Sequence, residues 1–353
     1  MVSKPALIVA GLVALTCVAY WPTLAAPWLY EDAHLPAASA PWSSIPLFGR
    51  GLTTWSLLAT SGDPGLAHGL NVALHLACGV LVAVVAYYLA GPVAMPVAAA
   101  AHLWNPLTSQ AVWYVTGRGD LLMTLGVLVA LAAALSSAGR WRWIVMAGGI
   151  LLAIGSKEVG VVVVPLVLLT LVRWRPADLR VPVAAAVFWI GTGALMGLAW
   201  RPMVGWATMR VGWGGPDVAW TEFVVRQLGL VWSLCLTLLV LTGFSIDHDA
   251  LSLSWPWLMG SLVATAAVIA GMVWAWRRSV VDGWALAFVV LALVPRLIVP
   301  TNEFVSERHL YLPMVGVSVL LGHRIAVWLG HPWRWPIAST GHSRPLRRGV
   351  VYG

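Results

Sequence analysis

Apolar positions along this chain come in long runs, and polar positions gather in the gaps between them. A helix needs about 20 apolar residues to cross the roughly 30 Å hydrocarbon layer of a membrane. The runs predict spanning helices near 5–24, 68–90, 92–105, 121–138, 143–156, 159–172, 182–200, 255–276, 284–299 and 311–329. Several are short, which suits helices surrounded by other helices. The run 226–243 is also apolar enough, but counting it reverses the sidedness of everything after it. It is placed here as re-entrant or interfacial on the outer side. The first run, "PALIVAGLVALTCVAYWPTL", follows Lys4 and resembles a secretory leader. Its length and the poor junction at Pro27 favour a retained first helix.

The expected fold class is therefore an all-α polytopic membrane protein. Residues 1–330 form one membrane domain and 331–353 a basic cytoplasmic tail. Composition agrees: 60% of the 353 residues are hydrophobic and 10% charged, against about 25% charged in a soluble domain. A net charge of +8 raises the question of nucleic acid, but the basic residues sit in short loops between apolar runs. Lys4, the "RWRW" of 140–143, the "RWRPADLR" of 173–180, Arg277, Arg278, Arg324 and the tail arginines all fall on one side. Only two acids, Asp178 and Asp282, fall with them. This asymmetry orients the chain with its N-terminus inside and argues for topology, not nucleic-acid binding. Cys17, Cys78 and Cys235 lie inside apolar runs and read as buried hydrophobes.

The same topology sends five distant segments to the outer face. They are "WLYEDAHLP" (28–36), "NPLTSQAVWYVTGRGDLL" (105–122), "SKE" (156–158), "FSIDHDALSL" (244–253) and "TNEFVSERHLYLP" (301–313). Charges at a membrane rim are costly and mark sites. Glu31 and Asp32 are carboxylates whose desolvation suits them to accept a proton; taken alone they read as a solvated helix end. Arg118 offers a planar fork for phosphate, while Asp120 sits in a first helical turn, where a carboxylate suits the helix dipole. Lys157 and Glu158 neutralise each other or serve a ligand. In "SERHLYLP", Arg308 suits a phosphate, His309 a phosphate or sugar hydroxyl, and Glu307 would orient Arg308. The alternative is an ion-pair clamp at a helix start. Asn71 and His75 are four apart, share a helical face, and read as a polar pair packed against another helix. Asp247, His248 and Asp249 invite a metal, but neighbouring residues converge poorly, so Asp247 and Asp249 read as a solvated loop. Trp113 is one of several outer tryptophans suited to stacking on a sugar.

Five strings, "NVALH", "NPLTSQAVWYVTGRGDLL", "KEVG", "SIDHD" and "SERHLYLP", occur in the order seen in the transmembrane and tetratricopeptide-repeat family of O-mannosyltransferases. From about residue 28 to 322 the chain resembles the membrane part of that family and its bacterial relatives, which are GT-C glycosyltransferases. The resemblance implies a GT-C-type bundle of about 10–11 transmembrane helices with its site on the outer face. It implies an inverting enzyme using a polyprenyl-phosphate sugar, mannose or another hexose, as donor substrate. It places Asp32 as catalytic carboxylate with Glu31 beside it, and Arg118, Lys157 and Arg308 at the family's basic positions. The chain departs from the pattern in three ways. The first-loop pair is Glu-Asp instead of Asp-Asp. Asn105 and Gln110 replace a histidine and a carboxylate. The repeats are absent, so an acceptor protein or glycan are both open.

On this reading Arg308, Arg118 and Lys157 neutralise the departing phosphate, and Asp32 activates the acceptor hydroxyl, worth about 10²–10⁴-fold. One phosphate can be neutralised by side chains, so no divalent metal is demanded. The expected location is a bacterial inner membrane, with the site facing the periplasm or exterior. A lipid-linked-glycan flippase is the rival reading, disfavoured because the charges gather at one rim and no internal repeat is visible. An inactive relative that binds polyprenyl phosphate is the third, kept open by Asn105 and Gln110.

Overall fold

A computed structural model describes residues 3–29, 32, 50–137, 139–174, 220–240, 253–298 and 306–331. Among these there are helices and turns and no strand. The helices are α1 (Lys4–Tyr20), α2 (Gly51–Leu58), α3 (Pro64–Ala90), α4 (Ala94–Leu103), α5 (Pro106–Trp113), α6 (Arg118–Leu135), α7 (Trp141–Ser156), α8 (Val163–Trp174), α9 (Trp220–Val240), α10 (Trp255–Arg278), α11 (Val280–Ile298) and α12 (Pro313–Trp328). Short 3-10 turns at Trp21–Ala25, Val115–Gly117, Glu158–Val162 and Glu307–Leu310 join or extend them.

Five stretches are long and apolar enough to cross a membrane: Lys4–Ala25, Pro64–Ala90, Val115–Leu135, Trp255–Arg278 and Val280–Leu297. α4, α7 and α12 are apolar but shorter. The chain is thus an all-α membrane protein. The expected 10–11 crossings are more than these helices establish, and the predicted span 182–200 lies outside the described residues. Two helices, α2 and α5, match no predicted span. They are short, partly polar, and lie across the bundle's upper end, the end where the 3-10 turns also gather.

The path alternates between the two ends. α1 climbs to the upper end, where the Trp104 indole nitrogen donates to Thr16 Oγ1 at 2.9 Å. Asp63 caps α3 by accepting from the Leu66 N–H, with Pro64 at the first helical position. α3 descends, and Gly91, at φ 87°, turns the chain into α4. α6 descends, α7 returns, α8 descends, α10 descends, α11 returns and α12 descends. α9 runs in the same sense as α10, because Arg226 lies over the Trp255 ring, the Trp257 indole donates to the Gly229 carbonyl, and Trp232 donates to Thr265.

Lipid tails give no hydrophobic reason for helices to associate, so close packing must hold the bundle. The tightest crossing is α6 on α7, where Gly126 and Ala130 face Gly149 and Ala153. A Cβ added at Gly149 would sit 2.7 Å from the Ala130 nitrogen and 2.7 Å from the Gly126 oxygen. A similar approach sets α12 on α4, where a Cβ at Gly322 would meet the Ala94 carbonyl at 2.8 Å. Buried Trp284 donates to Thr170 Oγ1 at 2.9 Å and packs edge-on against Trp174, fixing α11 on α8 at the lower end.

One comparison tests the α6–α7 crossing. Gly149→Ala should lower the melting temperature in detergent, as overpacking of about 1–3 kcal/mol does. Gly148→Ala, where nothing lies within 4 Å of the added carbon, should be neutral or gain up to about 1 kcal/mol from helix propensity. Equal melting of the two variants would remove the crossing as a stability determinant.

Candidate functional site

The upper end holds the polar chemistry. α6 and α7 are antiparallel, so the first turn of α6 lies beside the last turn of α7. That places Asp120, 4% exposed, against Lys157, where the ammonium donates to both carboxylate oxygens at 2.7 and 2.8 Å. Burial pushes the Lys157 pKa below its ordinary value. The Asp120 charge opposes this, and the Arg50 and Arg308 charges reinforce it.

α2 lies across these ends. Thr53 Oγ1 donates to the Ser156 carbonyl at 2.6 Å. Just before α2, Arg50 grips Glu158 through Nε at 3.1 Å and Nη2 at 2.8 Å. Burial alone would raise the Glu158 carboxyl; the Arg50 hydrogen bonds and charge outweigh it and hold the pKa at about 2.

The turn Glu307–Leu310 is braced from three sides. Ser306 and His309 form a reciprocal cap, with the Ser306 N–H donating to His309 Nδ1 at 3.0 Å. Gln110 Oε1 on α5 accepts from the Arg308 N–H at 2.7 Å. Behind the turn, His75 Nε2 meets the Leu103 carbonyl at 3.2 Å, which fixes the proton there. His75 Nδ1 therefore accepts from the Tyr311 hydroxyl, 2.7 Å away. The same logic fixes His309: its Nδ1 accepts from a backbone donor, so the neutral ring carries its proton on Nε2. Desolvation, then the positive charges of Arg296, Lys157, Arg308 and Arg50, pushes the His309 pKa well below 6.5. Those four cations therefore lie near enough to His309 for their charges to act on it, and the ring stays neutral.

Asp32 and Arg118 form a second, adjoining group. Asp32 is 2% exposed. Its carboxylate accepts from the Leu29 N–H at 3.3 Å, the Val115 N–H at 3.2 Å and the Thr116 N–H at 2.9 Å. Arg118 is fully buried. Nε donates to Asn71 Oδ1, Nη1 to the Ser56 carbonyl and Thr60 Oγ1, and Nη2 to the Ala67 carbonyl, all within 2.9 Å.

These placements revise several expectations. Arg118 was expected to grip phosphate; its fork is instead committed to α2 and α3, and it works as a clamp. Asp32 was expected to act as the general base; its carboxylate ties the Leu29 N–H to the Val115 and Thr116 N–H groups. Asn71 and His75 were read as one packed pair, yet Asn71 bonds to Arg118 and to the Val112 and Tyr114 carbonyls, while His75 bonds to Tyr311. Asn105 caps α5 by accepting from the Leu107 N–H at 2.9 Å. Lys157, Glu158, Arg308 and His309 do converge, with Glu307 buried in the same turn. Glu31, Asp247 and Asp249 lie outside the described residues. Among those described, no three His, Cys, Asp or Glu side chains gather as metal ligands would.

Two members were missed in the sequence. Arg50 stands alone between uninformative segments. Arg296, 7% exposed, lies inside the predicted span 284–299, and a cation within an apolar run is itself the signal that could have found it. Comparison with models of known protein families gives no match, and neither do comparisons with curated proteins or with solved structures.

Two outcomes follow. Asp32→Asn places an amide against three N–H donors and removes a charge. It should cost about 2 kcal/mol, read as a lower melting temperature in detergent. The Arg50–Glu158 pair gives a pH signature. A carboxyl depressed from 4.5 to about 2 stabilises above 4.5 and loses that contribution as pH falls through about 2. Wild type should therefore melt above Glu158→Gln at neutral pH, with the gap closing across that window.

Proposed function

We propose that this chain is an inverting glycosyltransferase of the GT-C type, taking a hexose from a polyprenyl-phosphate donor to an acceptor hydroxyl at the upper, extracytoplasmic end. The observation that carries the reading is the group of Arg50, Lys157, Arg296 and Arg308 around a neutral His309 at one end of an apolar bundle. The resemblance of "GRGDLL" and "SERHLYLP" supports the chemistry. A lipid-linked donor brings its phosphate to the rim while its hydrocarbon stays in the bilayer. Lys157 and Arg296, buried, and Arg308, half-buried, suit that phosphate and would stabilise the charge that grows as it departs. Gln110 and the Ser306–His309 cap hold the Arg308 backbone before substrate arrives, so little ordering remains to be done on binding.

In the proposed step the bond from the anomeric carbon to the phosphate oxygen breaks and the lipid phosphate leaves. The acceptor oxygen bonds to the opposite face of that carbon, and its proton passes to a carboxylate. Three of the roughly four lone-pair sites on the Asp32 carboxylate already accept N–H bonds, which directs attention to Glu31 beside it. The same three bonds favour a second reading, a protein that binds polyprenyl phosphate without transferring sugar.

Purified protein in liposomes, given radiolabelled polyprenyl-phosphate hexoses and a hydroxyl acceptor, tests both. Release or transfer of labelled sugar supports the enzyme; retention of intact donor supports binding alone; movement of donor across the bilayer would establish a transporter instead. Arg308→Gln should reduce transfer at least about tenfold with unchanged melting, as loss of a charge-assisted contact does. Glu31→Gln, with unchanged melting, should abolish transfer if Glu31 is the base. If Glu31→Gln keeps full activity, the proton goes to Asp32.

A further inference from the structure

The lower end carries a second kind of basic chemistry. Here α6 ends and α7 begins, α8 ends, α10 turns into α11, and α12 ends. Arg140, Arg173, Arg277, Arg278 and Arg324 are exposed at this end, and Arg142 is half-buried. Among the described residues, the carboxylate at this end is Asp282. It is 1% exposed and already held by His323 Nδ1 at 2.9 Å and Arg324 Nη2 at 2.8 Å. Among the described residues, no exposed acid of this chain lies at this end to offset the exposed Arg140, Arg173, Arg277 and Arg278.

Three of these arginines lie over tryptophan rings. Arg142 is 4.6 Å from the Trp143 ring centre, Arg278 is 4.9 Å from that of Trp274, and Arg140 is 5.8 Å from that of Trp141. Trp141 and Trp274 are 61% and 56% exposed, as interfacial tryptophans are. A guanidinium stacked on an aromatic face keeps its planar N–H edge for a second partner. At headgroup depth, the matching partner is a phosphate oxygen.

We infer that this lower collar binds anionic phospholipid headgroups of the adjacent leaflet, through the Arg–Trp pairs of 140–143 and 274–278. The charge excess selects acidic over zwitterionic headgroups. The tryptophans set the depth at which the arginines meet phosphate, and each arginine near such a surface adds to the attraction. This inference does not depend on what the upper end does.

The test uses the full chain in nanodiscs of phosphatidylcholine and phosphatidylglycerol in equal parts. Lipids retained after release into mild detergent are counted by native mass spectrometry. Wild type should retain phosphatidylglycerol in severalfold excess, and the excess should shrink at high salt. Arg140→Gln/Arg142→Gln/Arg278→Gln should remove most of it. Arg50→Gln/Arg308→Gln, at the upper end, should leave it in place. Retention in the proportions of the disc, or an excess lost with the upper-end pair and kept in the triple variant, would overturn the inference. Melting temperatures of both variants in phosphatidylcholine alone separate loss of binding from loss of fold.

Discussion

The close approach of α6 and α7 is the contact on which the upper end depends. Gly126 and Ala130 against Gly149 and Ala153 let two backbones come within van der Waals distance along antiparallel helices. Antiparallel helices in contact bring the N-terminus of one to the C-terminus of the other. Asp120 and Lys157 meet for that reason, 37 positions apart in sequence. The pair is buried, so removing either partner leaves an uncompensated charge and costs about 3–5 kcal/mol. Its value is positional: Lys157 is anchored beside Glu158, and through Glu158 it reaches Arg50 and α2.

A second constraint acts on the opposite wall. The Glu307–Leu310 turn is too short to hold itself, and it borrows rigidity from α3, α4 and α5. Tyr311 is fixed by His75, itself fixed by the Leu103 carbonyl. The Arg308 N–H is fixed by Gln110. The neutral amide at 110 thus has a definite task. Its carbonyl oxygen accepts a backbone N–H without adding negative charge beside Arg308. A carboxylate there would also accept, at the expense of the field around Arg308.

How much of this was legible in the sequence differs from residue to residue. The helices were, because runs such as 68–90 and 255–276 carry their own reason to leave water. The convergence of "KEVG" with "SERHLYLP" followed from counting crossings. Arg296 was not found, because a single cation inside a long apolar run was averaged away with its neighbours. The use of Arg118 was not legible either. A guanidinium that grips phosphate and one that grips three carbonyl or hydroxyl oxygens and an amide look alike in sequence. What separates them is whether α2 lies over the helix, and α2 is too short and polar to announce itself. Asp32 shows the same limit: the string "EDAH" cannot reveal that Val115 and Thr116 turn their N–H groups toward it.

The net charge of +8 therefore divides into two populations with different physics. At the upper end the cations sit beside carboxylates, with Lys157 on Asp120, Arg50 on Glu158 and Arg308 next to Glu307. Lys157 is buried and Arg308 half-buried, in a low-dielectric setting where each unit of charge acts strongly, while Arg50 stays exposed at the rim. Near-balance there is useful, because a strongly positive buried group would destabilise the fold. At the lower end the cations are exposed, spread along the rim and stacked on tryptophan, and the one described acid is already taken. Solvent screens such charges, so they can remain uncompensated at little cost, and their influence extends about a Debye length toward whatever surface faces them. The first arrangement suits a single bound group of defined geometry; the second suits a layer.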